Sequence, residues 1–338
     1  MGYHTEKRLE QARSLPVWPK VLTYFLLLTL SQALQAQKPK LVFATHWLPQ
    51  AQFAGYYMAI DQGFYADAGI EVEIIHPSAT TNVLSFLENG RADVISLFLT
   101  TAVKAKTEGV DIVNIAQFSE NSALMFVSKR ESGIQNLQDL SGKKTGIWKS
   151  GFDEIPKALL NEKNIATQWI PLSSSVNLFL KGGIDAMTVM WYNEYHQIYM
   201  HGVNEEELNV FHIKDYGYNI PEDGLYTTPA ILSEKGNELK AFAEASLKGW
   251  DYAASHPDHA LDVLIDVMKN ARVASNRVHQ KWMLEKVLEL QGFKTGKEKS
   301  TSLSFEAVGK CLDIFGYEGY HSKQMFFEEF FKPVIINP

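Results

Sequence analysis

The chain has 338 residues, of which 46% are hydrophobic and 21% charged, and it carries a net charge of −7. That much apolar material can fill two moderate cores and excludes wholesale disorder. The acidic balance offers no concentrated basic face for nucleic acid, and a single cysteine, Cys311, provides neither an intramolecular disulfide nor a thiolate set for a metal.

Lys7, Arg8, Arg13 and Lys20 precede the apolar run Val21 to Leu30, which is followed by Ser31-Gln32-Ala33 and Gln35-Ala36. This is the layout of a secretory signal over residues 1–36, with the mature chain starting near Leu34 or Gln37. The run is shorter than the roughly 20 apolar residues of a membrane span. An uncleaved anchor is the alternative, and no cysteine stands directly after the run to carry a lipid.

From Lys40 to about Phe118, short apolar runs at Leu41–Ala44, Val72–Ile75, Asp93–Ser96 and Ile112–Ala116 alternate with helical patterns near 51–62, 80–89 and 98–108. The alternation predicts βαβ units and a parallel sheet. It restarts after Leu124–Val127, with strands near 144–147, 167–170 and 185–190 and helices near 153–162, 174–181 and 192–201. After Tyr226–Leu232 the strand signals stop, and amphipathic stretches follow at about 235–255, 257–269, 275–290 and 303–315. The expected fold is α/β, with two doubly wound lobes joined by a two-segment hinge. Residues 38–124 and 229–338 make lobe one, and residues 125–228 make lobe two.

The most informative segment runs from Trp47 to Glu73, W-L-P-Q-A-Q-F-A-G-Y-Y-M-A-I-D-Q-G-F-Y-A-D-A-G-I-E-V-E, a strand exit, a helix and a second strand. In an open α/β sheet it places Trp47 at the carboxyl edge, over a cleft. Four further landmarks are Glu88-Asn89-Gly90-Arg91-Ala92-Asp93-Val94, Asn136 to Lys144, Lys181 to Ala186, and Met190-Trp191-Tyr192-Asn193-Glu194-Tyr195. In the first of these Gly90 supplies a left-handed turn and Asp93 opens a strand. Together they resemble the NMT1/THI5-like family of periplasmic substrate-binding proteins, nearest its thiamine-pyrimidine binders.

The resemblance implies a type II periplasmic-binding-protein fold that closes on a small-molecule ligand and passes it to an ABC permease at the inner membrane. It implies a periplasmic monomer that needs no cofactor. The ligand would be a thiamine-precursor pyrimidine such as formylaminopyrimidine or hydroxymethylpyrimidine, with riboflavin, a sulfonate or another aromatic heterocycle as alternatives. One relative is an enzyme, the fungal pyrimidine synthase. This chain departs from it: Leu97 stands at the position of the enzyme's Schiff-base lysine and Thr101 at that of its histidine, and the cysteine-rich motif is missing. A sensor input domain is a third possibility.

A planar heterocycle is held by aromatic faces, each contributing about 0.5–1.5 kcal/mol beyond area burial, and by a few polar groups that orient it. Trp47, Phe53, Tyr57, Trp148, Trp191 and Tyr192 occupy predicted strand ends or helix starts. Phe53 and Tyr57, at i and i+4, suit core packing equally well. The Glu194 carboxylate could accept from an exocyclic amine, with Asn193 beside it; as a structural pair they would be a helix N-terminal acid and its cap. Ser96, Thr100 and Thr101 lie at the exit of the third strand, Trp148, Ser150, Gly151 and Phe152 in the equivalent loop of lobe two, and Ser173-Ser174-Ser175 before a helix, where N-capping is the competing role.

Other patterns carry no chemistry. Ser141 to Gly146 lacks the phosphate-loop spacing. His196 and His201 are five apart and His256 and His259 span a helix break, so neither makes a metal pair. No G-x-S-x-G nucleophile turn is present.

Overall fold

The computed structural model describes, besides Met1, residues 38–78, 81–148, 152–173, 175–293, 299–317 and 322–335. The expected signal segment 1–36 and the candidates Ser150, Gly151 and Ser174 lie outside the described residues.

The first lobe opens with β1 (Lys40–Ala44), a 3₁₀ turn (Ala51–Phe53), α1 (Ala54–Asp61), α2 (Phe64–Asp67), β2 (Glu71–Ile75), α3 (Leu84–Glu88), β3 (Val94–Phe98), α4 (Leu99–Thr107) and β4 (Val113–Gln117). The chain then builds the second lobe from β5 (Leu124–Lys129), β6 (Lys144–Trp148), α5 (Glu154–Glu162), β7 (Gln168–Leu172), α6 (Asn177–Leu180), β8 (Ala186–Met190), α7 (Glu194–Met200) and β9 (Leu208–His212). It returns with β10 (Asp223–Thr227) and ends in α8 (Pro229–Ser255), α9 (Pro257–Asn270), α10 (Arg277–Leu290), α11 (Phe305–Ile314) and α12 (Lys323–Phe330).

The two sheets run β2-β1-β3-β10-β4 and β7-β6-β8-β5-β9. In each, the strands joined through helices are parallel, and the strand that arrives from the other lobe enters antiparallel in the fourth place: β10 against β3 and β4, β5 against β8 and β9. The alternating pattern predicts parallel strands alone, and this is the correction to it. Parallel neighbours need a crossover element between them, whereas β5 and β10 arrive directly from the opposite sheet and are free of that constraint.

Because β10 pairs with β3 and β4, residues 223–227 belong to the first lobe, and the return crossing falls before Asp223 rather than at 228. The expected strand Tyr226–Leu232 also ends early. Pro229 occupies the first turn of α8, where a missing N–H costs nothing, and Thr228 Oγ1 accepts from Ile231 N at 3.2 Å as its cap. Sheet position has a consequence for the site: an antiparallel β10 starts at the edge where β3 ends, with Asp223 opposite Phe98.

Local chemistry locks the opposite edge, where β3 begins. Gly90 has φ +68°, the left-handed turn expected of it. Asp93 then accepts from Val42 N (2.8 Å) and from Lys235 Nζ (2.6 Å), tying β1, β3 and α8 together. Helix α8 crosses α1 at backbone contact: a Cβ on Gly249 would lie 2.1 Å from the Gly55 carbonyl oxygen, and one on Gly55 2.2 Å from the ring of Trp250, which is fully buried. Two glycines thus set how closely α1, and the turn before it, sits on the helical tail.

Candidate functional site

The carboxyl ends of β1 and β3 meet the amino end of β10 around a buried polar cluster. His46, just past β1, donates its backbone N–H to Ser96 Oγ at 3.0 Å, and its Nδ1 lies 2.9 Å from the same oxygen. Gln52, in the 3₁₀ turn, places Nε2 3.2 Å from His46 Nε2 and 3.0 and 2.9 Å from the two carboxylate oxygens of Asp223. An amide donor facing Nε2 makes that nitrogen the acceptor, so the imidazole carries its proton on Nδ1 and donates it to Ser96. Ser96 therefore accepts twice, and its own hydroxyl proton remains to be donated. Phe53 and Phe98 pack edge-on against His46 at 5.1 and 4.5 Å.

Burial without a cation governs the electrostatics. Desolvation pushes the Asp223 carboxyl up to about 7 and the neighbouring Glu222 up to about 8, and lowers His46 to about 3, so the imidazole is neutral. Glu222 points to the lobe crossings, accepting from Ser122 Oγ at 2.8 Å and Ala123 N at 2.9 Å. It links the outgoing segment to the returning one. Tyr192, from the second lobe, is buried, and its hydroxyl stays protonated far above its ordinary range through desolvation, with Asp223, Glu222 and Glu194 adding to the effect. Beside the cluster, Phe98 meets Phe152 across the lobes at 4.8 Å, and both line a small cavity with Thr100, Met190 and Glu222.

A second polar junction joins the lobes through α7 and α10. Asn193 Oδ1 accepts from Gln197 Nε2 (2.9 Å) and His279 Nε2 (3.1 Å), which leaves His279 Nδ1 to accept from His196 Nδ1 at 3.0 Å. The two imidazoles are stacked, and Trp282 stacks on His196 at 4.9 Å while donating Nε1–H to the Trp191 carbonyl at 3.0 Å.

The model of the NMT1/THI5-like family matches residues 50–260. The chain belongs to that family. A formylaminopyrimidine-binding protein of Halalkalibacterium halodurans is 25% identical over 65% of this chain and 68% of its own length. A riboflavin-binding protein of Chloroflexus aurantiacus is 23% identical over 69% of this chain and 68% of that one. The relatives include enzymes: a 4-amino-5-hydroxymethyl-2-methylpyrimidine phosphate synthase of Aspergillus parasiticus is 24% identical over 68% of this chain and 70% of that one. Among solved structures, the periplasmic aliphatic sulphonate binding protein of Escherichia coli superposes with a TM-score of 0.62 at 15% identity, covering 86% of this chain and 93% of that one. The architecture is therefore the periplasmic-binding-protein fold with two α/β lobes.

Within this member of the family, the residues singled out by sequence separate into groups. Ser96, Thr100 and Tyr192 reach the lobe junction described above. Trp47 stands 42% exposed just past β1, its carbonyl accepting from Thr45 Oγ1. Tyr57 is buried with its ring 6.0 Å from that of His76, and its hydroxyl has no hydrogen-bond partner among the described residues. Phe53 is core, its edge against His46.

The rest serve structure in this arrangement. Trp148 donates to the Thr188 carbonyl at 2.8 Å within the second-lobe core. Trp191 lies under Lys286 Nζ at 4.0 Å from its ring centroid and receives Trp282. Glu194 spends both oxygens locally, accepting from Met190 N at 2.9 Å and Asn193 Nδ2 at 2.8 Å, with desolvation raising its carboxyl above the usual range. Asn193 belongs to the helix junction. His46, Gln52, Glu222 and Asp223 are additions that the sequence pattern did not single out. For His46 a signal existed, because it directly follows a predicted strand and precedes Trp47; for Asp223 none did.

Proposed function

We propose that the protein is the solute-binding component of an ABC importer, capturing a thiamine-precursor pyrimidine between two closing lobes in the periplasm as a monomer. One observation supports this reading: aromatic rings and buried polar groups of both lobes converge between the sheets, Phe98 packing on Phe152 and Tyr192 lying beside Gln52, Glu222 and Asp223. Ligands of open α/β sheets bind at such edges. Closing on the ligand would shift an equilibrium between open and closed forms by the ligand's preference for the closed one, and a permease would read that form from both lobes at once.

The work is binding rather than bond-making. Leu97, at the position where the resemblance puts a Schiff-base lysine, is buried within β3 opposite Gly224, and Thr101 replaces the histidine. Neither side chain can form an imine or move a proton at neutral pH. Calorimetry of the purified protein with formylaminopyrimidine, hydroxymethylpyrimidine, thiamine, riboflavin and taurine tests the proposal. Tight binding of a pyrimidine supports it, and silence from the pyrimidines with binding of riboflavin or taurine replaces the cargo.

A further inference from the structure

We propose that Asp223 is the specificity determinant of the cleft, and that it selects ligands presenting an amino group beside a basic ring nitrogen over their oxo analogues and over anions. The inference rests on the pyrimidine reading and names the chemistry that the site can accept.

Three observations carry it. First, the Asp223 carboxylate is short of donors: a single amide nitrogen, Gln52 Nε2, covers both oxygens and also faces His46. A carboxylate offers about four lone-pair sites, so the one amino group leaves acceptor capacity for a ligand. Second, among the described residues the basic group that reaches it is the His46 imidazole, at 3.7 Å and buried neutral, and no lysine or arginine pairs with Asp223 or with Glu222. Third, Tyr192 reaches the same place from the other lobe, bonding Gln52 and sensing the Asp223 charge, and Phe152 of that lobe packs on Phe98, the strand partner of Asp223, so the carboxylate sits where the lobes meet rather than in one lobe's core.

The ligand chemistry follows. An N–C–NH₂ edge whose ring nitrogen holds a proton presents two parallel N–H donors to two carboxylate oxygens, the charge-assisted bidentate match of a carboxylate with a planar fork. The raised Asp223 carboxyl helps: protein and ligand need to hold one proton between them, on either the acid or the ring nitrogen, and both placements leave complementary donors and acceptors. A 4-oxo analogue turns its carbonyl acceptor toward an acceptor when Asp223 is ionised, and pairs only with the protonated acid, without charge assistance. A sulfonate or nitrate brings a negative charge against two buried acids.

The test is calorimetry at pH 7 on the wild-type protein and on Asp223→Asn, with 4-amino-5-hydroxymethyl-2-methylpyrimidine, its 4-oxo analogue, taurine and nitrate. A lost charge-assisted pair corresponds to about ten- to hundredfold in affinity. Wild type should prefer the amino compound by at least that factor and ignore both anions, and Asp223→Asn should bring the amino and oxo affinities within about threefold of each other. The wild-type ratio needs no variant, so it stands even if the substitution impairs folding. A wild-type protein that binds both pyrimidines equally, a variant that keeps the preference, or binding of either anion overturns the inference while leaving pyrimidine capture in place. Failure of wild type to bind either pyrimidine removes the reading and the inference together.

Discussion

Two buried polar clusters bridge this molecule, and they are built to opposite rules. At the helix junction the amide, the carboxylate and the facing imidazole nitrogens close on one another: Asn193 serves Gln197, His279 and Glu194, Glu194 spends both oxygens, and the His196–His279 pair uses one donor and one acceptor. At the strand-end cluster groups are left over among the described residues, with an under-donated Asp223 and a Ser96 hydroxyl proton. We read the more saturated network as the one that holds the lobes and the less saturated one as the proposed ligand site. Proximity to the cleft does not distinguish them; the hydrogen-bond balance does.

The strongest way to break this comparison is Glu194→Ala. It strips the acceptor from Met190 N and Asn193 Nδ2, and an unsatisfied buried donor costs about 1–3 kcal/mol. We expect a loss of about 3 kcal/mol of stability, read as a lower urea midpoint at constant slope, with ligand affinity changed less than about threefold where the protein is folded. The reverse pattern, a fixed midpoint and lost affinity, would make Glu194 a ligand contact and collapse the distinction.

The next effect is on pH. His279 is lowered to about 4 and His196 is lowered too, by desolvation in both cases, so their unfolded forms bind protons first. Their contribution to stability is full above pH 6.5 and is lost as pH falls toward 4. A second proton would also set two cations face to face with Lys286 above Trp191 and Trp282. Asp223 and Glu222 have the opposite sign: raised to about 7 and about 8, they stabilise most below their unfolded values near 4 and lose that contribution as pH rises through 7 to 8. Chemical denaturation across pH 4–9 should show the two variants changing the slope of stability with opposite sign, His279→Gln removing a rise between about pH 4 and 6.5 and Asp223→Asn removing a fall between about pH 4 and 7. If both variants change the slope in the same direction, the opposite-sign assignment of the two clusters is wrong.

How far these clusters were legible in the sequence divides along the same line. The Gly90–Asp93 turn, the strands before it and the tail helices announce themselves through residue period and a φ that glycine favours. The segment Met190 to Tyr195 divides: Met190 and Tyr192 reach the lobe junction while Glu194 bonds within its own helix start, because which side of a helix start a carboxylate turns to depends on what packs above it. Asp223 is illegible for a sharper reason. Pro221-Glu222-Asp223-Gly224 has turn chemistry, and nothing local says that the chain instead enters a sheet antiparallel, with its acids against the ends of strands more than a hundred residues earlier.

Trp47→Ala sharpens the comparison from the ligand side. An exposed ring contributes little to the fold, so stability should stay within about 0.5 kcal/mol. If the ring covers the cleft, a lost aromatic face of about 1 kcal/mol lowers affinity by about fivefold. Titration of the variant with the bound pyrimidine checks it, and unchanged affinity would restrict the ligand's faces to Tyr192, Phe98 and Phe152.

The smallest expected effect tests the idea that holding the lobes and holding the ligand are separable. Lys104 Nζ on α4 reaches Glu154 Oε1 at the start of α5 across 3.4 Å, a bridge between lobes that is not part of the cleft cluster. The lysine is 45% exposed, and Asp153 is drawn to Lys157 rather than to Lys104, so the pair is worth about 0.2–1 kcal/mol and is screened by salt. Because it exists only when α4 and α5 are together, Lys104→Met should weaken ligand binding by about two- to threefold at low salt through the closing equilibrium alone. The difference from wild type should fade at high salt. A salt-independent loss would instead mean that Lys104 acts on the ligand's own charge, and the cleft would then contain the cation that its acids lack.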